Sequence, residues 1–115
     1  MISTQDSSML KKLLSAYESY LENNFIFEYK DIVDYSYGSS KSDELISLYN
    51  FRLSNEIDKD RISRMTKLID KMKQNKEATI LLHYIKAANG VGAIVYTSAN
   101  CEKVIGVLLL NDTKD

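Results

Sequence analysis

The chain has one imidazole and one thiol, His83 and Cys101, so nucleophilic chemistry would have to be built on them. A cysteine nucleophile needs a neighbouring base to hold its thiolate, and histidine is the usual partner. The two residues form a dyad only if the fold brings them together. A zinc site asks for three or four imidazoles, thiolates or carboxylates in one place, and two residues do not make one. The simpler expectation is a partly buried histidine on a helix or strand, a small buried or turn cysteine, and no bound metal.

Two other groupings invite chemistry. Glu28, Asp31 and Asp34 are closely spaced carboxylates. At strand spacing Glu28 and Asp34 share a face but stand well apart, while Asp31 points the other way. No Asp-x-Asp-x-Asp-Gly calcium loop is present. The second grouping is Gly90-Val91-Gly92. A dinucleotide fingerprint needs strand, Gly-x-Gly-x-x-Gly, then helix, and here Val95 stands where the third glycine belongs and a strand-like run follows. No Lys-Ser or Lys-Thr completes a phosphate loop. Gly90 is expected to supply a backbone conformation and not a ligand contact. No cofactor is expected.

Charge is unevenly spread along a chain whose net charge is −1. Residues 1–50 carry eight acids against four bases, and residues 51–76 carry four acids against eight bases. Within the basic stretch, Arg61, Arg64, Lys67 and Lys71 form a stripe that is able to track phosphates. Asp58, Asp60 and Asp70 interrupt it, so a solvated helix face is the stronger expectation and nucleic acid the weaker one. A single cysteine excludes an internal disulfide framework and suits a reducing compartment. The N-terminal residues show no signal-peptide pattern, and no apolar run is long enough for a membrane helix. A soluble, cytoplasmic, single globular domain is expected over residues 1–115.

The elements that must position these groups follow from periodicity. Leu10, Leu13, Leu14, Tyr17 and Leu21 lie on one helical face, which predicts a helix over 8–22 with Thr4, Asp6, Ser7 and Ser8 as possible caps. Phe25, Phe27 and Tyr29 alternate, as do Val33, Tyr35 and Tyr37, which predicts strand over 25–38 with a possible turn at Lys30-Asp31. Residues 38–43 read as a loop. Residues 44–54 fit helix through Leu45, Ile46, Tyr49 and Leu53, or strand through Tyr49, Phe51 and Leu53, and the second half leans to strand. Ile62, Met65, Leu68, Ile69 and Met72 predict a helix over 55–74, capped by Ser54. Residues 77–88 slightly favour helix, because Ile80, Leu81, Tyr84, Ile85 and Ala88 share a helical face. The rival is a hairpin in which Asn89-Gly90 is a two-residue type I′ turn. Residues 92–98 and 103–110 are apolar strands with little alternation, which predicts burial on both faces. The sum is an α+β fold, with two or three amphipathic helices on a small, largely antiparallel sheet ending in a hairpin.

The run GAIVYTSANCEKVIGVLLL, residues 92–110, resembles the second and third strands of the N-acetyltransferases: an apolar strand, a polar turn and a strand with a Val-Ile-Gly centre. Two helices before such a hairpin would also resemble that family's N-terminal half. The resemblance implies a small enzyme or ligand-binding domain. Asp115 comes before the point where that family's acetyl-CoA pyrophosphate loop and helix would stand, so a complete acetyltransferase is not expected.

The strongest functional expectation rests on residues 28–37. Tyr29, Tyr35 and Tyr37 offer large contact area at low entropic cost. Glu28, Asp31 and Asp34 beside them would steer a basic partner. That combination suits a non-enzymatic inhibitor or immunity-type protein that neutralises a basic protein such as a toxic nuclease. The competing expectation is that the tyrosines pack one face of a sheet while the acids keep the other face wet.

Overall fold

The computed structural model describes residues 4–20, 28–75 and 78–110. The first helix, α1, spans Thr4–Tyr17, starting and ending earlier than its apolar stripe predicts. Leu10, Leu13 and Tyr17 of the stripe are buried, and Leu14 packs beside them. The helix winds down through tightened turns, in which Ser19 N–H bonds Ala16 O and Tyr20 N–H bonds Tyr17 O. Leu21, Phe25 and Phe27, and with them the first half of the expected strand, lie outside the described residues.

A single 3₁₀ turn, Tyr29–Asp31, leads into strand β1, Ile32–Lys41. The pairing slips by one residue between Ile32 and Asp34, a bulge that turns Val33 outward and leaves Ile32 and Tyr35 buried. The expected common face of Val33, Tyr35 and Tyr37 is therefore broken at its first member. The loop expected over 38–43 is absent. β1 continues through Gly38 to Lys41, and helix α2, Ser42–Ser54, starts at once.

The strand expected for the second half of 44–54 is corrected to helix. Leu45 and Tyr49 are buried one turn apart with Ile46 and Leu53 beside them, while Phe51 points away at 68% exposure. Asp43 and Glu44 in the first turn and Arg52 in the last suit the helix dipole. Helix α3, Lys59–Asn75, begins later than expected, because Asp58 and not Ser54 caps it. Asp58 Oδ1 accepts the backbone N–H of Asp60 at 2.9 Å and of Arg61 at 3.3 Å. Its buried stripe is Leu68, Ile69 and Met72.

The helix favoured for 77–88 is also corrected. Thr79–Ala87 is strand β2, followed by β3, Gly92–Ser98, and β4, Val104–Leu110. The four strands form one antiparallel sheet in the order β1-β2-β3-β4. The rival expectation, a hairpin through Asn89-Gly90, is the one that forms, but its turn is a three-residue loop and not a two-residue one. Gly90 N–H bonds Ala87 O at 3.0 Å, Ala87 N–H bonds Val91 O at 2.9 Å, and Gly90 has φ +89°. A type I turn closed by one left-handed residue has this form, and glycine adopts that conformation without strain.

The three helices cover both faces of the sheet. On one face α1 sets Leu10, Leu13 and Tyr17 against Tyr35, Leu81, Ile85 and Val95. On the other, α2 and α3 set Tyr49, Leu68 and Met72 against Ile80, Leu82, Tyr96 and Ile105. Double coverage explains why β2 and β3 read as apolar runs. At Gly106 an added Cβ would come within 2.6 Å of Leu68 Cδ1, so this glycine sets how closely α3 approaches β4. The fold is α+β, three helices on a four-stranded antiparallel sheet, as the periodicity implies as a class.

Candidate functional site

The fold does bring His83 and Cys101 together, on the α1 face of the sheet. β1 brings Tyr35 and Tyr37 alongside β2, where Tyr37 is the register partner of His83. β3 adds Thr97, and the β3–β4 turn folds Cys101 back over the strands. His83 is fully buried and Cys101 is 1% exposed. Tyr35 Oη lies 2.8 Å from His83 Nδ1, Thr97 Oγ1 lies 2.8 Å from His83 Nε2, and Cys101 Sγ is 3.8 Å from the same Nε2. The rings of Tyr35 and Tyr37 both stack on the imidazole, with centroids about 6 Å away.

The hydrogen-bond pattern assigns the protons. Thr97 donates its hydroxyl hydrogen to Ser98 O at 3.0 Å, which leaves its oxygen to accept from His83 Nε2–H. His83 Nδ1 is then the acceptor, and Tyr35 O–H donates to it. A neutral imidazole satisfies both neighbours, and a second ring proton would face the Tyr35 donor. Burial pushes the His83 pKa down to about 4 and pushes the Cys101 thiol up. A catalytic cysteine needs the reverse, a thiolate beside an imidazolium within reach of substrate. The pair is juxtaposed but closed off and neutral, which makes it part of the core.

Cys101 also has φ 59°, a left-handed conformation that costs a residue with a Cβ about 1 kcal/mol or more. Its N–H bonds Ser98 O at 2.9 Å, so it closes its turn as Gly90 closes the other. Here the position carries a side chain that is buried in the core on the α1 side.

The six residues of the 28–37 strip divide. Glu28, Tyr29, Asp31 and Asp34 are exposed, Tyr35 is buried at 4%, and Tyr37 is half-buried against Tyr35 and His83. Tyr35 is thus a core residue and is not available as an anchor. Tyr29 lies against α1, where its hydroxyl meets Ser7 Oγ at 2.6 Å and the Lys11 ammonium sits 5.3 Å from its ring centroid. Glu28 is 4.0 Å from Lys30. Val33 is the residue the alternation misplaced. The bulge leaves it 52% exposed, between Asp31 and Asp34 in the chain.

The basic stripe of α3 is partly engaged. Lys71 Nζ donates to Tyr20 Oη at 2.9 Å, and burial lowers its pKa. Arg61 sits 3.8 Å from Glu56. Asp60 and Arg64 stand four residues apart on α3, an order that suits an ion pair, yet none forms between them among the described residues. Among the described residues no group of three or more His, Cys, Asp or Glu is placed to hold a metal, and no helix is long and apolar enough to cross a membrane. No family model matches the chain, and no match was found among curated proteins or solved structures.

Proposed function

We propose that this chain is a non-enzymatic protein-binding protein of inhibitor or immunity type, which meets a basic partner at the start of β1. The observation that carries the reading is Val33, a β-branched apolar side chain held 52% exposed at a bulge of an edge strand. Tyr29, four residues earlier in the chain, is a second exposed apolar group, and Asp31 and Asp34 carry exposed carboxylates on either side of Val33 in the sequence. A small apolar centre with charged surroundings is the arrangement in which anchors set the dissociation rate and charges the association rate. Lys30 and Lys86, the cross-strand neighbour of Asp34, temper the negative field, so the anchors carry most of the affinity.

The test is capture of the partner from a source-cell lysate by wild type and by a Tyr29→Ala, Val33→Asp double variant. The variant is expected to lose the partner that wild type retains, with each single change weakening binding by about 1–3 kcal/mol. Asp34→Asn is expected to slow association at low salt and to matter less at high salt. Undiminished capture by a folded double variant would refute the reading.

A second reading, a ligand-binding domain of acetyltransferase-like ancestry, draws support from one observation. Helices α2 and α3 precede the meander that holds residues 92–110, although those residues form the third and fourth strands of the sheet and not the second and third that the resemblance names. Saturable acetyl-CoA binding in calorimetry, unaffected by the Val33 change, would favour it over the first.

A further inference from the structure

At the opposite edge of the sheet a groove of about 520 Å³ runs between the last turn of α2, the first turns of α3 and the end of β4. Its deeper part is apolar, made by Tyr49, Met65 and Leu108. Its lips are apolar too, with Phe51 68% exposed and Leu109 and Leu110 each 41% exposed. Large side chains exposed singly need no explanation, but three of them around one concavity form a patch that water covers poorly.

Three guanidiniums rim this apolar surface: Arg52, Arg61 and Arg64. Glu56 is the carboxylate among the lining residues, and its oxygens are already occupied. One faces Arg61 at 3.8 Å, and the other accepts the backbone N–H groups of Ile57 and Asp58 at 3.1 Å each. Arg52 lies over the Tyr49 ring at 5.7 Å. Arg64 has no carboxylate within ion-pair distance among the described residues. The groove therefore has an excess of positive charge directly beside an apolar floor.

The way an anion is met here narrows its class. The start of α3 is occupied, because Asp58 takes the N–H groups of Asp60 and Arg61 that would otherwise cradle a phosphate. Recognition falls to arginine side chains, whose planar forks match carboxylates and phosphates in bidentate fashion, and the apolar floor beside them favours a carboxylate carried on an apolar segment. Met65 and the exposed Phe51 suit adaptable packing of apolar side chains.

We infer that this groove docks an acidic, apolar peptide segment of a partner protein, seating leucine-like side chains on Tyr49, Met65 and Leu108 and glutamate-like carboxylates on Arg52 and Arg64. The inference goes beyond the proposed function, since it concerns another surface and a partner segment of opposite charge.

The test uses the full chain and three labelled short peptides, one of leucine and glutamate, one of leucine and lysine, and one of serine and glutamate, read by fluorescence anisotropy. The leucine–glutamate peptide is expected to bind saturably, with the other two about tenfold weaker or worse. Phe51→Asp and Arg64→Glu should each weaken the leucine–glutamate peptide about tenfold or more. Both residues are exposed, so circular dichroism should show the variants folded. Val33→Asp should leave peptide binding unchanged, which separates failure here from failure at β1. Equal binding of all three peptides, or unaltered binding by both variants, overturns the inference. Binding of oleate with no binding of the peptide assigns the groove to fatty carboxylates instead. A dimer dispersed by Phe51→Asp assigns it to a second copy of the chain, and either result also overturns the inference.

Discussion

Acidification from pH 7 to below pH 4 is expected to remove about 3 kcal/mol of folding stability through His83 alone. In the folded chain His83 stays neutral until the pH nears 4, because it is fully buried and accepts the Tyr35 hydroxyl. In the unfolded chain the imidazole takes its proton near the ordinary pKa of about 6.5. Between those values the unfolded state binds more protons, so stability rises with pH in that window. The contribution is complete above about pH 6.5 and lost as the pH falls through 4. Urea denaturation at a series of pH values measures it. Carboxylates titrate in the lower part of the same window, so the comparison is with His83→Gln. That variant should be less stable at pH 7 yet have a flatter profile between pH 6.5 and 4. Parallel profiles for the two proteins would show that His83 does not titrate as the buried network requires.

The second large effect is expected on the opposite face of the sheet. Tyr96 is fully buried and Tyr49 is 4% exposed, their rings meet edge to face, and their hydroxyls are hydrogen-bonded. Tyr96→Ala should cost about 3–5 kcal/mol, because it removes a large ring from beneath α2 and α3 and leaves a cavity they cannot close. Tyr96→Phe should cost about 1–3 kcal/mol, the penalty for leaving the Tyr49 hydroxyl buried without its partner. Replacing both tyrosines by phenylalanine should then cost less than the sum of the single changes. Additive single and double variants would mean that the hydroxyls contribute independently and that the pair is not coupled.

Legibility in the sequence varied with how local each determinant is. The stripes of α1 and α3 were readable because one face of each is buried and the other is wet, and that contrast lies within the helix itself. The periodicity of β2 points to helix because the sheet is covered on both sides. Burial of residues 80–83 on both faces removes the two-residue alternation there, and Ile80, Leu81, Tyr84 and Ile85 then match a helical face by coincidence. The helix-favouring residues around them were outweighed by cross-strand packing. The second half of α2 points to strand for a related reason. Phe51 breaks its apolar stripe, and that exposed ring is one lip of the groove.

The 28–37 strip shows the same limit. Its acids were expected to be exposed, and they are. The exchange of roles between Val33 and Tyr35 depends on a one-residue slip against β2, a partner more than forty residues away, which no local pattern encodes. The groove was invisible for the strongest version of this reason, since it joins α2, α3 and β4. The one signal in the sequence was a misfit, an aromatic residue at Phe51 off the buried face of its helix.

The order of strands also bears on how the chain reaches this state. β2, β3 and β4 are joined by short turns, so their pairing requires little loop-closure entropy and forms on the timescale of hairpins. β1 joins the same sheet only across the whole α2–α3 connection, a contact of high sequence separation. The meander is therefore expected to assemble first, with β1 docking late and drawing Tyr35 onto His83 as it does so. The same route in reverse makes β1 the strand most easily released. Native-state hydrogen exchange should find the amides of β1 opening at lower free energy than those of β2 and β3, and uniform protection across the sheet would contradict this. The strand that carries the proposed partner face would then be the last part of the sheet to be secured, and a bound partner would slow its release.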